Sequence, residues 1–222
     1  MSARIKDGSA ADELKIEAAY RGARAVLYPQ DALGEYRVAE FSGLTTVLAA
    51  NGEVFQFRWT DASNLCALRS LRVRAAVITG FTAAQELAFT ASQVTSWSAD
   101  GSGGTTITPG ATNLLKRNSY PQSKVGSCRI ATTGVLTAGT KTIFGNPFLV
   151  GQGKTLAAAA TVQDAAIEAE VNWHATQSGP IVFGQNEGFV VRNNILLGAA
   201  GTVRWAIQAE WAEFLNADFP TM

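Results

Sequence analysis

From Thr202 to Phe214 the chain alternates with a period of two: Val203, Trp205, Ile207, Ala209 and Trp211 fall on one side, and Arg204, Ala206, Gln208, Glu210 and Ala212 on the other. Successive side chains of an extended chain point to opposite faces, so this run reads as a strand with one buried and one wet face. Such a strand needs a sheet to join and a second apolar layer to cover it, which points to an all-β chain.

Other segments carry the same signal. Glu53-Val-Phe-Gln-Phe-Arg-Trp59 sets Phe55, Phe57 and Trp59 on one face, and Asp61-Ala-Ser-Asn64 supplies turn chemistry before another extended run begins at Leu65. In that run Leu71, Val73, Ala75 and Val77 alternate with Arg72, Arg74 and Ala76. Leu87–Val94 and Val125–Ala131 are rich in small, threonine and β-branched residues, which suit a pleated surface. A strand over Gly188–Arg192 is expected to turn back through Gly198–Gly201 and pair with the last strand as a C-terminal hairpin. Ser98–Asn113, with Asp-Gly-Ser-Gly-Gly and Pro-Gly, reads as an exposed loop.

Two stretches favour helix more than the rest. Ala10–Leu27 suits either an amphipathic helix or an extended arm, and the alanine-rich Leu156–Val171 is expected to be helical. No repeat of solenoid or propeller period is present, and the strand-rich pattern with irregular loop spacing points to an antiparallel β-sandwich, jelly-roll-like, with at most one or two short helices. The expected organisation is an N-terminal arm or first strands over residues 1–35 and one sandwich domain over 36–222.

Charge narrows the function classes. Lysine and arginine total 18, aspartate and glutamate total 18, so no global field draws the chain to nucleic acid or an anionic membrane. A charged fraction of 16% is low for a soluble domain and leaves apolar surface available for burial between subunits. The N-terminus lacks the apolar core of a signal peptide and no run is long enough to span a bilayer, so the expectation is synthesis in a cytoplasm without membrane insertion. Cys66 and Cys128 lack metal or redox spacing and read as buried free thiols.

The chemical motifs do not hold up. Gly153-Lys154-Thr155 resembles the close of a phosphate-binding loop, but Phe148 stands where the first glycine is required, leaving a glycine-rich turn with a solvated lysine. His174 is the only histidine, and no Gly-x-Ser-x-Gly elbow exists. Carboxylates such as Asp61, Asp100, Glu168 and Glu187 could in principle converge for glycoside hydrolysis, but no pairing is legible. No residue is therefore assigned to catalysis, to a cofactor or to a metal. Arg72 and Arg74, on one strand face, suit either a solvated surface or a subunit interface, and Trp173, Arg204 and Glu210 join them as candidate interface residues.

Four stretches carry a family likeness: Ser2-Ala-Arg-Ile-Lys-Asp-Gly-Ser-Ala-Ala-Asp-Glu-Leu-Lys-Ile16, Phe55-Gln-Phe-Arg-Trp-Thr-Asp61, Gln185-Asn-Glu-Gly-Phe-Val-Val-Arg192 and Val203-Arg-Trp-Ala-Ile-Gln-Ala-Glu-Trp211. On them the chain resembles virion structural proteins of tailed bacteriophages and prophages. The resemblance implies a β-rich, non-enzymatic subunit of a symmetric oligomer, expected to be a trimer, that contacts neighbouring virion proteins and decorates or connects the capsid or tail surface. The alternative is a tail-fibre or receptor-binding module whose loops near Ser98–Asn113 and Gly145–Thr155 contact host surface glycans. A carboxylate-based polysaccharide depolymerase is the third reading.

Overall fold

A computed structural model describes residues 33–108, 114–116, 122–155, 166–173 and 179–216. The chain divides into Met1–Gln30 and Asp31–Met222, and every described residue belongs to the second unit. The expected arm over Ala10–Leu27, the Leu156–Ala165 part of the expected helix, and His174 lie outside the described residues.

The strands are β1 (Gly34–Phe41), β2 (Gly52–Trp59), β3 (Asn64–Thr79), β4 (Glu86–Ala99), β5 (Thr105–Thr106), β6 (Leu114–Lys116) and β7 (Val125–Ile130). They continue with β8 (Thr140–Ile143), β9 (Leu149–Lys154), β10 (Ala166–Asn172), β11 (Ile181–Phe183), β12 (Glu187–Asn193) and β13 (Thr202–Leu215). All pairings are antiparallel and form two sheets, one in the order β10-β3-β13-β1-β6 with β11 also on β3, the other β5-β7-β2-β12-β4-β8 with β9 also on β4. Among the described residues there is no α-helix.

Taken in chain order, β1, β2, β3, β4, β9, β10, β12 and β13 stand as first, eighth, third and sixth in one sheet and second, seventh, fourth and fifth in the other. That is the strand order of a jelly roll, in which consecutive strands cross between two sheets and Greek-key connections link them. The expected antiparallel sandwich is present, and its topology is this one.

The core lies between the sheets and is aromatic. Phe57 of β2 meets Trp211 of β13 edge-on at 5.1 Å, and Phe89 of β4 meets Trp205 of β13 edge-on at 5.9 Å, so both tryptophans of the last strand reach across the layers, as does Phe183 of β11 to Phe57 and Phe189. The inward side chains of β13 are buried, as its alternation requires. Polar ends of core side chains are satisfied: the Trp205 indole N–H donates to Thr45 Oγ1 at 3.2 Å, and that of Trp211 donates to Glu213 Oε1 at 3.0 Å. Asp61 accepts from the backbone N–H groups of Ser63 and Asn64, both at 2.8 Å, forming the expected turn into β3. Cys66 and Cys128 are buried free thiols, and burial pushes both thiols above their ordinary range.

Several expectations are corrected. β12 and β13 do not form a hairpin: β12 pairs with β2 and β4, while β13 pairs with β1 and β3 in the opposite sheet. The 14-residue β13 finds a matching ladder along the 16-residue β3, which a short hairpin partner could not supply. The connection crosses the sandwich instead, with Leu197 N–H on Leu48 C=O at 2.9 Å and Gly201 against the Phe81 ring, where a Cβ would come within 2.4 Å.

Ala166–Asn172 is strand rather than helix, because Ile167, Ala169 and Val171 pack on the core while Glu168 and Glu170 point outward, and this alternation outweighs alanine's helix propensity. The Ser98–Asn113 segment is not wholly exposed loop: β5 pairs with β7, and Ile107 is buried. Gly153-Lys154-Thr155 closes β9 rather than a turn, with Lys154 opposite Glu86 and Thr155 N–H on Gln85 C=O at 2.8 Å.

Candidate interaction surfaces

The outer face of the first sheet is open around Arg72, Arg74 and Arg204. Cross-strand register builds it in rows: Ala39, Gln208, Arg72 and Glu170 in one, and Phe41, Ala206, Arg74 and Glu168 in the next, followed by Arg204 opposite Ala76 and Ala76 opposite Ala166. Small side chains at Ala39, Ala76 and Ala206 let the floor sink between longer neighbours, leaving a trough of about 440 Å³. Its walls carry Arg72, Arg74, Arg204 and Glu168, and Phe41 and Ile78 stand at its end. Arg72 Nε donates to Glu168 Oε1 at 2.7 Å. Among the described residues Arg74 and Arg204 have no such ion-pair partner, and both are exposed.

Of the five candidate interface residues, the structure brings Arg72, Arg74 and Arg204 to this trough. Glu210 lies on the same face, half-buried and opposite Arg37. Trp173 does not join them: it is half-buried and packs on Phe148 at 5.9 Å, at the margin of the core. Phe41 was missed from sequence, and Glu168 was named there only among carboxylates that could converge for hydrolysis, not for this surface. Phe41 ends a strand and sits alone among polar neighbours, and Glu168 lay in a segment read as helix.

The end of the sandwich beside Phe41 is apolar. The loop after β1 is tied to two others: Thr46 N–H donates to Thr133 C=O at 3.0 Å, Thr45 bridges Val203, and Leu197 N–H reaches Leu48 C=O. On these three loops Leu44, Val47, Val135 and Leu196 are exposed, and Phe41 beside them is 70% exposed. Val47 holds a left-handed backbone, φ +48°, which costs a β-branched residue energy and is found where the surrounding structure enforces it.

The middle of the second sheet's outer face is covered, while β9 at its margin leaves Val150 exposed. A bulge between Val191 and Arg192 skips one residue of β2, so Glu53 shares a face with Gln56 although the two are three residues apart. Lys141, reaching in from β8, donates to Glu53 Oε2 at 2.7 Å, with side chains only 2% and 4% exposed. Gln56 Nε2 donates to the same oxygen at 2.6 Å and to Thr137 C=O at 2.7 Å, and the ammonium lies 4.6 Å from the Trp97 ring centre. Loss of hydration is the leading cause that raises the Glu53 carboxyl and lowers the Lys141 ammonium, with their mutual contact opposing both. Val94, Trp97, Val190 and Ile143 form a small second core beside this pair, and Arg58 pairs with Asp100 at 2.8 Å. This cluster pins Asp100, Thr137 and Lys141 onto the sheet.

Glu213 is a second buried acid. Ser123 Oγ donates to it at 2.5 Å, the Lys124 N–H at 3.1 Å and the Trp211 indole at 3.0 Å, so it clamps the end of β13 to the entry of β7. Burial raises its carboxyl despite these donors, and Tyr36 nearby is pushed up to about 12 by burial and by Glu213. Among the described residues no group of three or more His, Cys, Asp or Glu could hold a metal ion, and no helix is long and apolar enough to cross a membrane.

Comparisons with family models, curated proteins and solved structures give no match. The reading of these surfaces therefore rests on their own geometry and chemistry.

Proposed function

We propose that this protein is a non-enzymatic structural subunit of a tailed-phage virion, made in the host cytoplasm, a jelly roll that forms a symmetric oligomer and decorates or connects the capsid or tail surface. The observation that carries the proposal is the apolar end of the sandwich, where Phe41, Leu44, Val47, Val135 and Leu196 stand exposed on three tied loops. Clustered exposed apolar side chains mark contact sites with other proteins, and a left-handed valine among them is strain held where a partner would bury it. The jelly roll supports the reading by fold-level analogy, since virion shells use this topology, as do some carbohydrate-binding domains. The expected oligomer is a trimer, and other virion proteins are its further neighbours.

Light scattering on the purified chain, followed by mass spectrometry of purified particles, tests this. The expected results are a closed oligomer that Val47→Asp with Leu196→Asp converts to monomer without unfolding, and the chain present in virions at fixed stoichiometry. A wild-type monomer at all concentrations, or absence from virions, contradicts the proposal.

A further inference from the structure

The trough on the first sheet meets the apolar end at Phe41 but otherwise has its own, charged chemistry. Arg74 and Arg204 stand on neighbouring strands at diagonal positions, since Arg74 lies opposite Ala206 and Arg204 opposite Ala76. Diagonal positions of an antiparallel pair lie about 7–8 Å apart. Two arginines rooted that close, over a floor of alanines and with no ion-pair partner among the described residues, can turn their guanidinium groups onto one anion. Guanidinium groups suit a planar carboxylate, which they bind through two parallel N–H donors.

The remaining lining narrows the ligand. Glu168 and Gln208 offer acceptors within the same trough. The Glu168 carboxylate would repel a polyphosphate chain but accept hydrogen bonds from hydroxyl groups. Phe41, a residue 70% exposed in the row of Arg74, offers an apolar plate of the kind a sugar ring covers. A volume of about 440 Å³ is that of a small-ligand site. The geometry points to a binding site for a carboxylate-bearing glycan, with Arg74 and Arg204 on the carboxylates, Phe41 against a sugar face, and Gln208 and Glu168 on hydroxyls. The site does not depend on the virion reading and differs from the loops over Ser98–Asn113 and Gly145–Thr155 expected from sequence.

Isothermal titration of the full chain with oligogalacturonate, alongside maltooligosaccharide as the neutral match and heparin as the sulfated one, tests the site. Oligogalacturonate is expected to bind, to weaken with added salt, and to lose about tenfold or more in affinity in Arg74→Ala with Arg204→Ala. Phe41→Ala weakens uronate binding while leaving the salt dependence intact. Equal binding of the neutral glycan, tighter binding of heparin than of the uronate, or uronate binding unchanged in the double variant overturns the proposal. So does an oligomer that dissociates in the double variant with no uronate bound by the wild type, which would assign the trough to a second copy of the chain. Both variants change exposed side chains, and an unchanged unfolding midpoint shows that the fold is intact.

Discussion

The two sheets alternate in the same way, yet their outer faces have opposite fates. Outside the first sheet, Arg72, Arg74 and Arg204 reach solvent around an open trough. Outside the second, Gln56, Ser92 and Val190 are buried, and Lys141 and Glu53 form an ion pair almost without exposure. Alternation alone thus fixes which residues face the core but says little about whether the other face is covered. Covering is decided by what crosses it, and here Asp100, Thr137 and Lys141 bond down onto β2.

Substitutions on the two outer faces should therefore behave differently, with the core strand as the reference. Trp205→Ala removes a fully buried indole between the sheets and should cost about 3–5 kcal/mol in chemical denaturation. Lys141→Met should approach that, about 3 kcal/mol or more, because it leaves Glu53 buried without its cation; adding Glu53→Leu should restore much of the loss. A small effect of Lys141→Met would mean that the second outer face is as wet as the first.

The buried acids give a pH test. Burial raises the Glu213 carboxyl above 4.5, so the folded chain keeps a proton that the unfolded chain releases. Its contribution to stability is full below that value and is lost as pH rises through the folded pKa. Glu213→Gln cannot ionise and should flatten that decline in thermal unfolding followed from about pH 4 to 7, where carboxyl groups titrate. A steeper decline in the variant would contradict the direction of the shift. Smallest of all, Arg74→Ala should change stability by no more than about 0.5 kcal/mol, as expected of a side chain in solvent.

Much of the sandwich was legible. The buried faces of β2, β3 and β13 follow from their period of two, and Asp61 announces the turn between the first two of these. The pairing of strands was less so, because β12 and β13 are neighbours in sequence and the physics that separates them is the match of long β13 with long β3. One clue to the covered face stood in the sequence unread: Phe189-Val190-Val191 is apolar without alternation, as a strand buried on both faces should be. At the trough, the arginines were visible as a group, but Glu168 was hidden in an alanine-rich stretch and Phe41 gave no periodic signal. The apolar end is assembled from single residues on three loops, which only the fold brings together.

Cysteine labelling compares the two faces directly, since the native thiols at Cys66 and Cys128 are buried and give a silent background. Ala39→Cys places a thiol on the exposed trough, and Val190→Cys places one in the small core outside the second sheet. With a small maleimide under native conditions, Ala39→Cys is predicted to label at the rate of a free thiol and Val190→Cys only when the protein unfolds. Equal rates at the two positions, or faster labelling at Val190→Cys, would contradict the account of one open and one sealed face.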